Sequence, residues 1–375
     1  MKSRPTPNPS RKREGSETCP NAVRLVAAGW AWHTPRMSRI IPLALLALTT
    51  PALAADPAPA PSEIVAAAPQ ADWVAIPASD LLVMDLAPDA KNKPRRVTIQ
   101  LMPPPFAQGW IGNIRKLAAA HWWDGLSINR VQDNYVVQWG DADGEDKAKA
   151  RALPAGMMSV PEGSYTFDPP PGLAADFAAF EAAEEKGFES GRSPSSCFWD
   201  KSARKYDCWP VGTIGFPGGQ YSYFDRVIDG WPIASDMDQA WPVHCYGMVG
   251  VGRNLSPDTG SGTELYTVIG HAPRHLDRNI ALVGRVIEGI EHLSSLPRGT
   301  GALGFYQTPE ERTTILSIRL GNEVPALPAY EYLSTESAAF ARYADARANR
   351  RDPFFIKPAG GADICNIPVP VRRVK

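Results

Sequence analysis

Proline limits this chain more than any other feature. There are 37 prolines in 375 residues, about twice the usual share. Proline lacks an N–H and clashes with the preceding helical turn, so a chain punctuated this often cannot be mostly long helix. The segments between prolines are patterned for strands. Leu81-Leu82-Val83-Met84-Asp85-Leu86 and Arg96-Val97-Thr98-Ile99-Gln100-Leu101 read as two strands, and the polar stretch 87–95 between them reads as a hairpin turn. Residues 134–138 read as a further strand, and 246–289 as short strands between Gly-rich turns. Residues 315–320 read as the last strand, with Leu316, Ile318 and Leu320 alternating.

Helical spacing is confined to three stretches. Trp110, Ile114, Leu117 and Ala118 give residues 106–120 a buried face, and Leu173, Phe177 and Phe180 do the same for 173–186. Ser334-Thr335 caps a third helix over 336–349. Many short strands with two or three helices predict a β-barrel or sandwich with helical caps. The chain is 44% hydrophobic and 21% charged, enough for a sizeable core. Its net charge of −1 gives no global argument for nucleic-acid binding, and none is expected.

The N-terminus reads as processing signal. Residues 1–36 are basic, Pro-rich and without periodicity. Met37-Ser38-Arg39 then precedes an apolar run from Ile40 to Leu48 and the small-residue site Ala52-Leu53-Ala54. That order reads as a secretory signal peptide over 37–54, with Met37 the expected true start and 1–36 a mis-called upstream extension; a real disordered extension is the alternative. The run is too short to span a bilayer, so no membrane span is expected after cleavage. A periplasmic or secreted protein follows. The removed part holds eight Lys and Arg against two Asp and Glu, so the net charge of the remainder falls from −1 to −7. Four cysteines remain: Cys197, Cys208, Cys245 and Cys365. In an exported chain they read as possible disulfides, with three pairings open. Cys197 with Cys208 is the local choice, which leaves Cys245 with Cys365; free buried thiols are the alternative. Residues 55–71 read as an extended Ala/Pro tether, with order beginning near Trp73.

The chemistry concentrates in Gly125-Leu126-Ser127-Ile128-Asn129-Arg130-Val131, then Tyr135-Val136-Val137-Gln138-Trp139-Gly140-Asp141. Val136 and Gln138 share one face of a strand, and Arg130 must reach that face from a neighbouring strand. Two further blocks follow: Gly247 to Arg253 with Thr259 to Tyr266, then Ala272 to Asp277 with Leu282 to Gly289. In this order the blocks resemble the signature of the cyclophilin family of peptidyl-prolyl isomerases, over about 80–141 and 246–320. The resemblance implies a mainly β fold, a closed eight-stranded antiparallel barrel capped by helices. The domain would span 72–330 with a large insertion at about 142–244, a disulfide-stapled flap beside the groove. Residues 331–375 would add a C-terminal helix and a Pro-rich tail.

The resemblance also implies the site. Arg130 would be the catalytic arginine and Gln138 its orienting partner. Tyr135, Val136, Tyr266 and Leu276 would form the apolar pocket for proline, with Gly252, Arg253, Glu264, His275 and Ile280 completing the substrate groove. Proline-containing unfolded or exported polypeptides would be the partners, and the chain a monomer. No cofactor is implied, because rotating a tertiary amide needs no nucleophile or metal. It needs a grip on proline and a donor that weakens amide resonance against a barrier of about 20 kcal/mol. Four positions depart from the family pattern: His275 replaces Trp, Glu264 replaces Gln, Ile280 replaces His and Trp139 replaces Gly. Glu264, Ile280 and Trp139 motivate an alternative, a catalytically weak Pro-peptide-binding chaperone or scaffold, and among the tryptophans, which are otherwise expected in the core, Trp139 is the candidate peptide platform.

Other motifs fail on their own terms. Asp258-Thr259-Gly260-Ser261 matches one half of an aspartic protease, but that chemistry needs two carboxylates sharing a proton. Gly250-Val251-Gly252 lacks the third glycine of a dinucleotide loop. His121, His244, His271, His275 and His292 form no metal-ligand spacing with the cysteines, so surface or packing roles are expected for them.

Overall fold

The computed structural model describes residues 58–170, 198–200, 205–207, 215–217, 221–236 and 238–374. The signal segment, the stretch 173–186, Cys197 and Cys208 lie outside the described residues. Seventeen strands are described: β1 (Trp73–Ile76), β2 (Leu81–Leu86), β3 (Arg95–Leu101), β4 (Ser127–Val131), β5 (Val136–Gly140), β6 (Phe198–Asp200), β7 (Lys205–Asp207), β8 (Gly215–Pro217), β9 (Phe224–Ile228), β10 (Trp231–Ser235), β11 (Ala240–Pro242), β12 (Met248–Val251), β13 (Leu265–Val268), β14 (Leu282–Glu288), β15 (Thr313–Leu320), β16 (Tyr330–Leu333) and β17 (Val371–Arg373).

Eight of these close into an antiparallel barrel, in the order β12-β13-β5-β4-β15-β2-β3-β14. The β2–β3 hairpin forms where the sequence predicts it. Leu82, Met84, Leu86, Val97, Ile99 and Leu101 all turn into the main core, as the period of two requires. Asp89 organises the turn by accepting from the backbone N–H groups of Lys91 and Lys93, each at 2.8 Å. The last strand departs from simple alternation. A bulge between Ile315 and Ser317 shifts its register, so Ile315 and Ile318 are both buried while Leu316 is 53% exposed.

Helix α2 (Gln108–Ala119) lies against β14 and β15 and buries Trp110, Ile111, Ile114, Leu117 and Ala118. The chain after Asp141 then runs back along it. Asn113 exchanges hydrogen bonds with the backbone of Met158, 2.8 Å each way, and Trp122 Nε1 donates to the Ala152 carbonyl at 2.9 Å.

The described strands that end the expected insertion pack into the body. Strands β11-β10-β9-β8 form a sheet, and Trp231, Ile233, Ala234, Ala240, Trp241 and Val243 belong to the same buried cluster as the barrel interior. Arg285 on β14 pins the β9–β10 turn: its Nη1 donates to the Gly230 carbonyl at 2.7 Å, and its guanidinium lies 4.6 Å from the Trp231 ring. Burial of this side chain is offset by hydrogen bonds and ring faces.

The termini also differ from expectation. Within the stretch read as a tether, residues 61–66 form helix α1 (Pro61–Ala66), started by Pro at its first turn and anchored by buried Ile64. The C-terminal helix is Ala338–Ala348, with Ser337 rather than Ser334 as its cap; the Ser337 hydroxyl accepts from the Phe340 N–H at 3.0 Å. It packs on α1. Strands β1, β16 and β17 form a separate three-stranded sheet, so regular structure continues past residue 330 as far as β17. A disulfide joins Cys245 to Cys365 across 120 residues.

Candidate active site

The site is built on the outer face of the barrel, where β5 and β13 present alternate side chains. On β5, Val137 and Trp139 point into the core, while Val136 and Gln138 point outward. Trp139 is fully buried, so it is a core residue and not the peptide platform its position suggested. Strand β4 is offset by a bulge between Ile128 and Arg130, which brings Arg130 opposite Gln138. The bulge is held by Asn129, whose side-chain amide donates to the Gly140 carbonyl at 3.0 Å.

Arg130 is held on three sides. Its Nη1 donates to Gln138 Oε1 at 3.3 Å and its Nε to the Leu303 carbonyl at 2.7 Å. Its Nη2 donates to Gln132 Oε1. The guanidinium also faces the rings of Tyr135, at 5.6 Å, and Phe305, at 5.2 Å. Burial pulls its pKa below the ordinary arginine value, yet an arginine keeps its charge at any physiological pH. Five N–H groups are available on a guanidinium; these three bonds leave one on each terminal nitrogen for a ligand.

Beside Arg130 lies an apolar cluster, the candidate proline pocket. Val136, Tyr266 and Val268 form a buried cluster separate from the core, with Tyr135 and Ile280 packed against it. The His275 ring is parallel to that of Tyr135, 6.4 Å away. Leu276 sits on the same single turn of 3₁₀ helix as His275. Arg253 reaches across to this turn and donates from Nε to the Asn279 carbonyl at 2.9 Å. Gly252 is required by close approach: a Cβ there would lie 2.9 Å from Glu264 Cβ and 3.3 Å from Gln138 Nε2.

Glu264 closes the polar end. Gln138 Nε2 approaches its Oε2 at 3.5 Å. Burial, against a weaker opposing hydrogen bond from Gln138, pushes the carboxyl up to about 8. Glu264 is therefore largely a neutral acid at pH 7, close in shape and hydrogen-bonding capacity to the glutamine it replaces.

These contacts bring Arg130, Gln138, Glu264 and Gly252 together with Tyr135, Val136, Tyr266, His275 and Ile280, while Leu276 and Arg253 are tied to the group only through the 274–279 segment and Trp139 turns into the core. Four contributors escaped sequence reasoning, among them the Leu303 carbonyl that accepts from Arg130. Gln132 and Phe305 contact Arg130 directly, and His244 touches Tyr266. Gln132 stood inside the motif without a distinguishing neighbour. Phe305 and His244 carry no local signal, because they meet the site from distant loops.

The fold and this grouping agree with comparison to known proteins. The model of the family described as cyclophilin type peptidyl-prolyl cis-trans isomerase/CLD matches residues 96–320, more than half of the chain. This chain is a cyclophilin. Among solved structures, it is similar to a cyclophilin from Hirschia baltica named AquaCyp293. That match has 18% identity, covers 82% of this chain and 97% of the other, and has a TM-score of 0.51. A cyclophilin type isomerase of Cryptosporidium parvum, solved in the presence of the dipeptide Ala-Pro, aligns at 10% identity. It covers 64% and 98% of the two chains, with a TM-score of 0.32. At these identities the Hirschia protein shows a shared fold, and the overlap reaches beyond the cyclophilin stretch matched by the family. No curated protein matches this chain.

Proposed function

We propose that this cyclophilin catalyses prolyl isomerisation at the Arg130–Tyr266 face and acts on proline-containing segments of exported proteins. The observation that carries the reading is the juxtaposition of a clamped guanidinium, with two N–H groups to spare, and an apolar cluster of Val136, Tyr266 and Val268 with Ile280 packed against it. A proline ring in that pocket brings its nitrogen within reach of Arg130. As the amide twists, the nitrogen loses resonance and becomes a hydrogen-bond acceptor. A positioned cation then stabilises the twisted state more than either planar isomer. Gln138 keeps Arg130 in place, and Glu264 offers a neutral partner to the peptide backbone.

Prolyl isomerisation is slow enough to limit folding, and export delivers unfolded chains. Two features support export: the charged, apolar and Ala-Leu-Ala order of residues 37–54, and a Cys245–Cys365 bridge of the kind that persists in oxidising compartments. The test is the rate at which the purified protein accelerates cis–trans exchange of an X-Pro peptide. Arg130→Ala is expected to lower that acceleration by about 10²-fold or more. Equal rates for the two proteins would refute the assignment. Peptide binding without acceleration by the unmodified protein would identify a scaffold instead.

A further inference from the structure

A buried polar chain runs from the pocket into the insertion. The Tyr266 hydroxyl lies 2.8 Å from His244 Nε2, and His244 Nδ1 lies 2.7 Å from Asp277 Oδ1. The same Asp277 oxygen accepts the His244 backbone N–H at 3.0 Å. Arg274 Nε donates to Asp277 Oδ2 at 2.8 Å, and Arg274 Nη2 donates to Asp225 Oδ1 at 3.2 Å. Asp225 in turn accepts from the Ser222 hydroxyl at 2.6 Å. His244, Asp277, Arg274 and Asp225 are all buried.

The donors and acceptors fix the direction of this chain. A carboxylate only accepts, so Nδ1 carries hydrogen toward Asp277; in the neutral ring Nε2 then accepts from the Tyr266 hydroxyl. The phenol has a prepared seat. A Cβ on Gly250 would stand 2.3 Å from its oxygen, so β12 leaves space for it, and the imidazole lies parallel to it at 6.2 Å.

Stability alone does not call for this arrangement, since well-packed apolar groups hold a core as well as buried charges. Its placement is informative. One end holds Tyr266, which forms one wall of the pocket. Asp277 follows the turn of His275 directly and lies three residues before Ile280; His275 lies parallel to Tyr135 and Ile280 packs against the Val136–Tyr266 cluster, so this segment supplies the other wall. Asp225 on β9 and His244, just after β11, come from the insertion.

We propose that His244, Asp277, Arg274 and Asp225 are positioning residues that set the two walls of the pocket against each other, so that the insertion determines how firmly a proline ring is held. The inference rests on that pocket being the proline site.

A double-mutant cycle on the full chain tests it. Affinity for an Ala-Pro-containing tetrapeptide is read by NMR titration, and the exchange rate of the bound peptide by line-shape analysis. His244→Phe is expected to weaken affinity about tenfold, with the bound exchange rate changed less than about twofold. In a Tyr266→Phe background the same change should cost less than about twofold, because the hydroxyl it acts through is gone. His244→Gln, which keeps donor and acceptor, should restore most of the affinity. If His244→Phe does not fold, Asp225→Asn replaces it, with a loss of about threefold expected only when Tyr266 is present. Equal losses in both backgrounds, or none in either, would overturn the proposal. Because affinity is read without turnover, an unmodified protein that binds but does not accelerate exchange would remove the isomerase assignment and leave the cycle readable. An unmodified protein that does not bind the peptide removes both.

Discussion

Gln138 and Glu264 face each other across β5 and β13 with 3.5 Å between amide nitrogen and carboxyl oxygen, and the acid is held neutral up to about pH 8 by burial. The sign of the linkage follows. The unfolded carboxyl ionises near its ordinary value of 4.5, while the folded one keeps its proton until about 8. Between these values the folded state binds more protons, so stability falls as pH rises through that window. Glu264→Gln is expected to flatten this slope and to raise the unfolding midpoint at pH 8, measured by denaturant melts at pH 5 and 8. The isomerisation rate of the unmodified protein should change with an inflection near pH 8 that Glu264→Gln lacks. A common slope in the two proteins would show that Glu264 titrates normally.

Gln132 holds the outer nitrogen of Arg130, and Leu303 holds Nε from a loop that packs on Gln132. Gly304 in that loop has φ +79, and a Cβ there would lie 2.7 Å from Gln132 Cα. Gln132→Ala is expected to lower the isomerisation rate by about tenfold while lowering the melting temperature only slightly, since one part-buried hydrogen bond contributes about 1 kcal/mol. Gly304→Ala should lower both, because it strains the backbone and displaces the loop. A Gln132→Ala enzyme with the original rate would mean that Gln138 and Leu303 suffice to orient the guanidinium.

Local patterns in the sequence carried the strands and helix α2, while the resemblance to the cyclophilin signature carried the closed barrel and most of the site. The β2–β3 hairpin, α2 and the outward pair Val136 and Gln138 each follow from spacing within about a dozen residues. The failures share a cause. Leu316 was misplaced by a bulge, which depends on pairing with β2 rather than on the strand's own residues. Helix α1 is marginal by itself and forms against the distant Ala338–Ala348 helix. His244 looks like any packing histidine until Asp277, 33 residues away, and Tyr266 meet it. Long-range partners leave no periodic trace.

Trp139 shows how one step of register reverses a role. It neighbours Gln138 in sequence but lies on the opposite face of β5, fully buried in the main core. Trp139→Ala is expected to cost about 3–5 kcal/mol of stability through the cavity it leaves. Trp139→Phe should cost less, and under conditions where it is folded its affinity for an X-Pro peptide should match the unmodified protein. A selective loss of affinity in Trp139→Phe, with stability retained, would return Trp139 to the groove.

The Cys245–Cys365 bridge ties the segment just before β12 to the C-terminal tail. Cys245 follows His244 directly, and Asp363 of the tail lies 3.7 Å from Arg274, so the bridge anchors the tail against the polar chain behind the pocket. Closing a loop of 120 residues restricts the unfolded chain, an effect worth about 2–4 kcal/mol for typical disulfides. Cys245→Ser with Cys365→Ser should therefore lower the denaturation midpoint, and should expose residues after 349 to limited proteolysis before the barrel is cut. Addition of reductant to the unmodified protein should reproduce both effects. An unchanged midpoint and an unchanged cleavage order would show that burial of Ile364 and Ile367 is enough to hold the tail.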